Sequence, residues 1–168
     1  MRLTALLATA LLSLPTLLRA DDPPTIDHQP VPCTVPGQTI ALCGAIADDA
    51  MVGAARVYFR PVKENMYFYV NMTFLGLQYC ATLPAPREGK ATGIEYYLQA
   101  TDDQYQTQRT STFLMSVQPE ASCGFPPLEK DRERARAIQV FATHKKQGKK
   151  LPDEFDATGV TFVPVVGR

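Results

Sequence analysis

Gly93-Ile94-Glu95-Tyr96-Tyr97-Leu98-Gln99-Ala100-Thr101 is the stretch that decides the fold class. Ile94, Tyr96, Leu98 and Ala100 take every second position, with Glu95, Tyr97 and Gln99 between them. Successive side chains of a strand point to opposite faces, so this alternation predicts a strand with one face in a core and the other in water. Asp102-Asp103 ends it, because aspartate bonds its own backbone in turns.

The same period of two recurs to either side. Gln38 to Ala47 sets Ile40, Leu42 and Ile46 against Thr39, Ala41, Cys43 and Ala45. Ala55 to Val62 sets Val57 and Phe59 against Arg56, Tyr58 and Arg60, and Asn65 to Phe74 sets Phe68, Val70 and Met72 against Tyr67, Tyr69 and Asn71. Leu77 to Leu83 turns Leu77, Tyr79, Ala81 and Leu83 inward, with Gln78, Cys80 and Thr82 outward. Thr110 to Gln118 offers Phe113, Met115 and Val117 to the core. An irregular first strand falls within Thr25 to Val35, where Pro30 and Pro32 confine it to an edge. Short strands at this spacing, without helical patterning between them, predict an all-β, antiparallel two-sheet sandwich over 21–122.

The flanks differ. Arg2 followed by the apolar run Leu3 to Leu18 and a small residue, Ala20, has the form of a signal peptide over 1–20, too short to span a bilayer comfortably. An exported protein, periplasmic or secreted, with no transmembrane segment in the mature chain, is therefore expected. Basic and acidic residues balance at 17 each, but acids dominate 21–122 and bases dominate 123–168. From Pro126-Pro127 to Gln147 the pattern reads as a helix with a thin stripe of Ile138 and Phe141, acids early and Lys145 and Lys146 late. A basic C-terminal helical appendage and tail, 123–168, is expected, with one further strand in Gly159 to Val166.

The segments GQTIALCGAIADDAMVGAARVYFRP, YFYVNM, YCATLPAP and IEYYLQATD together resemble the immunoglobulin-like, fibronectin-III-like modules of secreted bacterial proteins, over about Val35 to Val117. The resemblance implies a binding or scaffolding fold without catalytic residues of its own. Tyr96-x-Leu98-x-Ala100 is similar to the pattern of such a module's penultimate strand, which makes Tyr96 a candidate corner tyrosine. The four cysteines depart from that pattern.

An even number of cysteines in an exported chain points to two disulfides. In a fold of this kind the Gln38–Ala47 and Leu77–Leu83 strands are neighbours. Cys43 and Cys80 share outward parity there, which favours Cys43–Cys80 with Cys33–Cys123. The rival is Cys33–Cys43 with Cys80–Cys123. No Cys/His spacing of a zinc site is present.

Three constellations could carry function. Asp48, Asp49, Asp102 and Asp103 end two strands at one pole and are candidate Ca2+ ligands, against the plainer reading as turn caps. Tyr58, Tyr69 and Tyr97, extended by Tyr67, take outward parity on neighbouring strands, a candidate ligand-binding row unless the C-terminal helix covers it with Ile138 and Phe141. Lys145, Lys146, Lys149 and Lys150, with Arg132, Arg134 and Arg136, could meet an acidic surface, but the interleaved acids favour a solvated helix face.

The only histidines are His28 and His144, and no nucleophile elbow, P-loop or HExxH motif occurs. An Asp48/Asp102 acid pair for glycoside hydrolysis lacks an expected cleft. Asn71-Met72-Thr73 is a glycosylation sequon that matters only in a eukaryotic secretory route. The expectation is a non-enzymatic, exported binding or scaffolding module with a protein partner in the cell envelope or extracellular space. The alternative is a carbohydrate-binding module using the tyrosine row. A nucleic-acid partner does not fit an exported chain of this charge.

Overall fold

A computed structural model describes residues 21–123, 138–148 and 150–165. The leader, 1–20, and the first part of the expected helix, up to residue 137, lie outside the described residues. In chain order the strands are β1 (Thr25–Asp27), β2 (Cys33–Thr34), β3 (Ile40–Ala47), β4 (Val52–Pro61), β5 (Phe68–Asn71), β6 (Thr73–Phe74), β7 (Tyr79–Leu83), β8 (Gly93–Asp102), β9 (Thr107–Arg109), β10 (Phe113–Val117), β11 (Ile138–Ala142) and β12 (Val160–Val163). Among the described residues the only helical pieces are short 3-10 turns, Glu120–Ser122 and Lys145–Gln147.

Two sheets form a β-sandwich. One has the order β1-β3-β7-β6; the other runs β12-β11-β5-β4-β8-β10-β2, with β9 added beside β8. Most pairs are antiparallel, the exceptions being β10 with β2 and β11 with β12. The alternation read from the sequence builds the core: Leu42, Val57, Phe59, Ile94, Tyr96, Leu98, Ala100 and Met115 have no exposed surface. These apolar side chains converge from both sheets, and removing them from water is the main force holding the layers together.

The tail departs from the expected helix. Ile138–Ala142 is a strand, antiparallel to β5 through Phe141↔Tyr69 and Ala142↔Phe68. Ile138 and Phe141 are three apart, as on a helix face, but Ile138, Val140 and Ala142 are two apart, and the second spacing is the one realised. Val140 and Ala142 are buried, Ile138 packs against the core, and Gln139 is exposed. The chain then crosses over the sandwich, burying Leu151 and Phe155, and returns as β12 parallel to β11. Phe155 meets Phe59 edge to face at 5.3 Å. Residues 138–165 therefore add strands and core side chains to the sandwich, with no helical appendage among the described residues.

Leu77 is a second departure. It is 90% exposed and not inward-facing. Gly76, at φ +85°, lets Leu75 and Gln78 close a tight turn through a 2.8 Å backbone hydrogen bond, so the strand begins only at Tyr79.

Candidate functional site

The outer face of the larger sheet carries a row of rings. Register sets Tyr58 opposite Tyr69 on one side and opposite Tyr97 on the other. Tyr58 and Tyr97 stack at 4.9 Å with planes 6° apart, and Tyr58 lies 5.4 Å from Tyr69. Tyr67 meets Tyr97 edge-on at 5.1 Å. At the far end Phe141 of β11 stacks on Tyr69 at 4.9 Å. Phe141 thus prolongs the row as a strand residue of the same sheet.

Three guanidinium groups decorate this row. Arg56 lies over Tyr69 at 4.8 Å, Arg60 over Tyr67 at 4.5 Å and Arg109 over Tyr97 at 5.3 Å. Such cation–π packing holds the long side chains against the rings. Arg60 also bonds Glu95 through both Nε and Nη2, a two-point pairing that fixes the guanidinium plane. Arg56 Nε is shielded from water and has no partner. The Tyr97 phenol is raised above its ordinary value, first by desolvation and then by Tyr58, against the opposing pull of Arg109. The sequence places the tyrosines by parity. The same parity puts Arg56 and Arg60 on that face, but not Arg109, which reaches Tyr97 through β9, a strand absent from the sequence reading.

The acidic pole is assembled differently from expectation. Asp48 Oδ1 accepts the N–H groups of Ala50 and Met51, each at 2.9 Å, so it caps its turn. Asp21, Asp48 and Asp49 offer carboxylate oxygens that all lie within 4.8 Å of one another. Asp102 is only 3% exposed, and its Oδ1 accepts the Gln106 N–H at 2.7 Å. Neither Asp102 nor the exposed Asp103 belongs to that group of three. Gln106 lowers the Asp21 carboxyl by hydrogen bonding, but desolvation and the neighbouring Asp102, Asp49 and Asp48 together leave it raised. Asp21 is the member the sequence did not reveal. Its place follows from the Thr25↔Ala47 pairing, which brings the chain just before β1 alongside the end of β3.

Both histidines serve the architecture. His28 bridges the Cys43 carbonyl, 2.7 Å from Nδ1, and the Tyr96 hydroxyl, 3.0 Å from Nε2. The Tyr96 oxygen also accepts the Val31 N–H at 2.9 Å. Tyr96 thus ties its strand to the segment between β1 and β2, far upstream, and not to the adjoining loop as a corner tyrosine does. His144 caps the 3-10 turn at Lys145–Gln147. Two surface depressions, about 330 and 370 Å3, share Arg87 and Asp156, and neither is lined by His, Cys or Ser.

Disulfides join Cys33 to Cys123 and Cys43 to Cys80. Cys43 and Cys80 face each other across β3 and β7, with Cα atoms 4.1 Å apart. Two such bonds point to an extracellular or secreted protein. No helix among the described residues is long and apolar enough to cross a membrane. Lys145, Lys146 and Lys150 are exposed, and Lys150 pairs with Asp153 at 3.2 Å. Lys149, Arg132, Arg134 and Arg136 lie outside the described residues. Asn71 of the sequon is exposed on β5.

Neither a protein-family model nor a curated protein sequence matches the chain. Among solved structures it is similar to the SrpA adhesin of Streptococcus sanguinis, at 15% identity and a TM-score of 0.41, over 65% of this chain and 63% of that one. A variant of the same adhesin gives the same identity and score, with 64% of each chain covered. The chain thus spans less than two thirds of those structures. A likeness this distant assigns no ligand.

Proposed function

We propose that this chain is an exported, non-catalytic immunoglobulin-like module that binds a protein partner through the tyrosine–arginine face of its larger sheet, in the cell envelope or outside the cell. The strand orders support the immunoglobulin-like reading. β1-β3-β7-β6 corresponds to the A-B-E-D sheet of that fold, and β5-β4-β8-β10 to its C′-C-F-G sheet. The cross-strand disulfide within one sheet is this chain's own variation, since antibody domains bridge the two sheets.

The observation that carries the binding role is the run of five rings interleaved with Arg56, Arg60 and Arg109. Tyrosine and arginine are the residues that concentrate binding energy at protein interfaces. A rigid sheet presents them with little ordering cost on association. The carbohydrate alternative is weaker on one specific ground. A sugar ring stacks on an open aromatic face, whereas the faces of Tyr58 and Tyr97, and of Tyr69 and Phe141, are packed against each other.

The test compares wild type with Arg56→Ala and Tyr58→Ala, using the oxidised chain as bait in envelope and extracellular extracts, with a glycan panel alongside. The expected result is one partner that binds wild type and binds the variants at least about 30-fold more weakly, as loss of a hot-spot residue predicts. Unchanged affinity in both variants, or glycan binding that requires Tyr58 without any protein partner, sinks the reading.

A further inference from the structure

We propose that Asp21, Asp48, Asp49 and Asp102 form a Ca2+ site at the pole of the sandwich where β3 and β8 end. The site is separate from the aromatic face and stands or falls independently of it.

Three of the carboxylates already present oxygens within 4.8 Å of each other, a span that a single ion can bridge. Asp102 stands beyond that span, joined to Asp21 through Gln106, and supplies the independent sign of a missing ligand. Asp102 is almost wholly buried, and its Oδ2 has neither a donor nor access to water. Asp48 Oδ2 is in the same condition. A buried carboxylate oxygen without a partner is costly, and native folds rarely leave one.

Asp102 is held toward the cluster by Gln106. Its backbone N–H donates to Asp102 Oδ1, and its side-chain amide donates to Asp21 Oδ2 at 2.7 Å and to the Asp21 carbonyl at 2.9 Å. From the other side, Asp102 pairs with Val52, the first strand residue after the turn that Asp48 caps. The β4 chain comes so close there that a Cβ on Gly53 would sit 2.7 Å from the Asp102 carbonyl oxygen. Backbone packing therefore holds the end of β8 in place, and the Gln106 N–H holds the carboxylate. The charges felt by Asp21 come from Asp102, Asp49 and Asp48, all of one sign.

The donor set selects the ion. All the groups are hard oxygens, with no His or Cys, which disfavours zinc and copper. The carboxylates come from three separate places in the chain, an irregular arrangement that Ca2+ tolerates and the strict octahedron of Mg2+ does not. Affinity in the range of extracellular calcium modules, a Kd on the order of 10⁻⁴ to 10⁻³ M, is expected.

The experiment uses the whole oxidised chain, stripped with EGTA and then exchanged into buffer, with Tm and calorimetric titration read against CaCl2 and MgCl2. A Tm rise of about 5–10 °C as Ca2+ passes well above Kd is expected, with little response to Mg2+. Asp102→Asn should keep the fold without the ion and lose the shift, and Asp103→Asn should keep it. Asp48→Asn serves as the second variant should Asp102→Asn fail to fold. Absence of any Ca2+-dependent heat or shift in wild type overturns the proposal. That would also be the outcome if an α-ammonium freed by cleavage after Ala20 already neutralised the cluster. A full response in Asp102→Asn or Asp48→Asn overturns it equally.

Discussion

At the scale of a residue, Tyr96 shows how one hydroxyl can organise a core. A carbonyl oxygen can only accept, so in the neutral ring His28 Nδ1 donates to Cys43 and leaves Nε2 to accept the Tyr96 proton. The phenol oxygen in turn accepts the Val31 N–H. Tyr96→Phe keeps the ring packing but leaves that N–H and the imidazole nitrogen unpaired, an expected loss of about 1–3 kcal/mol in chemical denaturation. Desolvation raises the Tyr96 phenol above its ordinary value of 10.0, with the Val31 bond opposing. The folded value lies above the unfolded one, so this stability is complete below about pH 10 and is lost as pH climbs through the folded value. Melting curves between pH 8 and 11.5 should fall at the alkaline end, and Tyr96→Phe should flatten that fall. Tyr97, raised in the same direction, leaves a residual slope. A pH profile unchanged by the substitution would contradict the assignment.

At the scale of an element, the tail strands show what the sequence could and could not disclose. Period-two runs such as Ile94-Tyr96-Leu98 and Val57-Phe59 declared their strands, because one buried face imposes the alternation over many residues. Those same runs located the tyrosine row, since parity alone fixes which face Tyr58, Tyr69 and Tyr97 share. Ile138 to Ala142 is only five residues long, too short for a spacing of two to be told from one of three. The acidic pole was half legible for another reason. Asp48 and Asp49 follow a strand end and could be placed, whereas Asp21 comes beside them only through long-range pairing, and Asp102 and Asp103 lie outside that group of three. Phe155 tests the tail's contribution. It is 2% exposed and packs on Phe59, so Phe155→Ala should cost about 3–5 kcal/mol, read as a lowered denaturation midpoint. A loss below about 0.5 kcal/mol, within the range of a surface change, would mean that the crossover is only loosely attached.

At the scale of the whole molecule, the two disulfides constrain the unfolded chain to different extents. Cys33–Cys123 spans 90 residues and Cys43–Cys80 spans 37. In the chain-entropy treatment the first contributes about 4–5 kcal/mol and the second about 4, as upper figures. Replacing Cys33 and Cys123 together by Ser should therefore lower stability at least as much as replacing Cys43 and Cys80, and equilibrium denaturation of the two double variants decides it. The longer bridge also sets how the protein answers tension. If the chain were pulled between Asp21 and its last strand, β1 and β11 would first be drawn off β3 and β5, and the load would then pass from Cys33 straight to Cys123 through a covalent link, without straightening the chain between them. Under a steady stretching force the oxidised protein should lengthen by roughly 300 Å less than the reduced one, the contour of the shielded segment at about 3.4 Å per residue. The strands inside the bridge would keep their length and the four tyrosines of the row, while β1 and the tail strands, Phe141 among them, paid out.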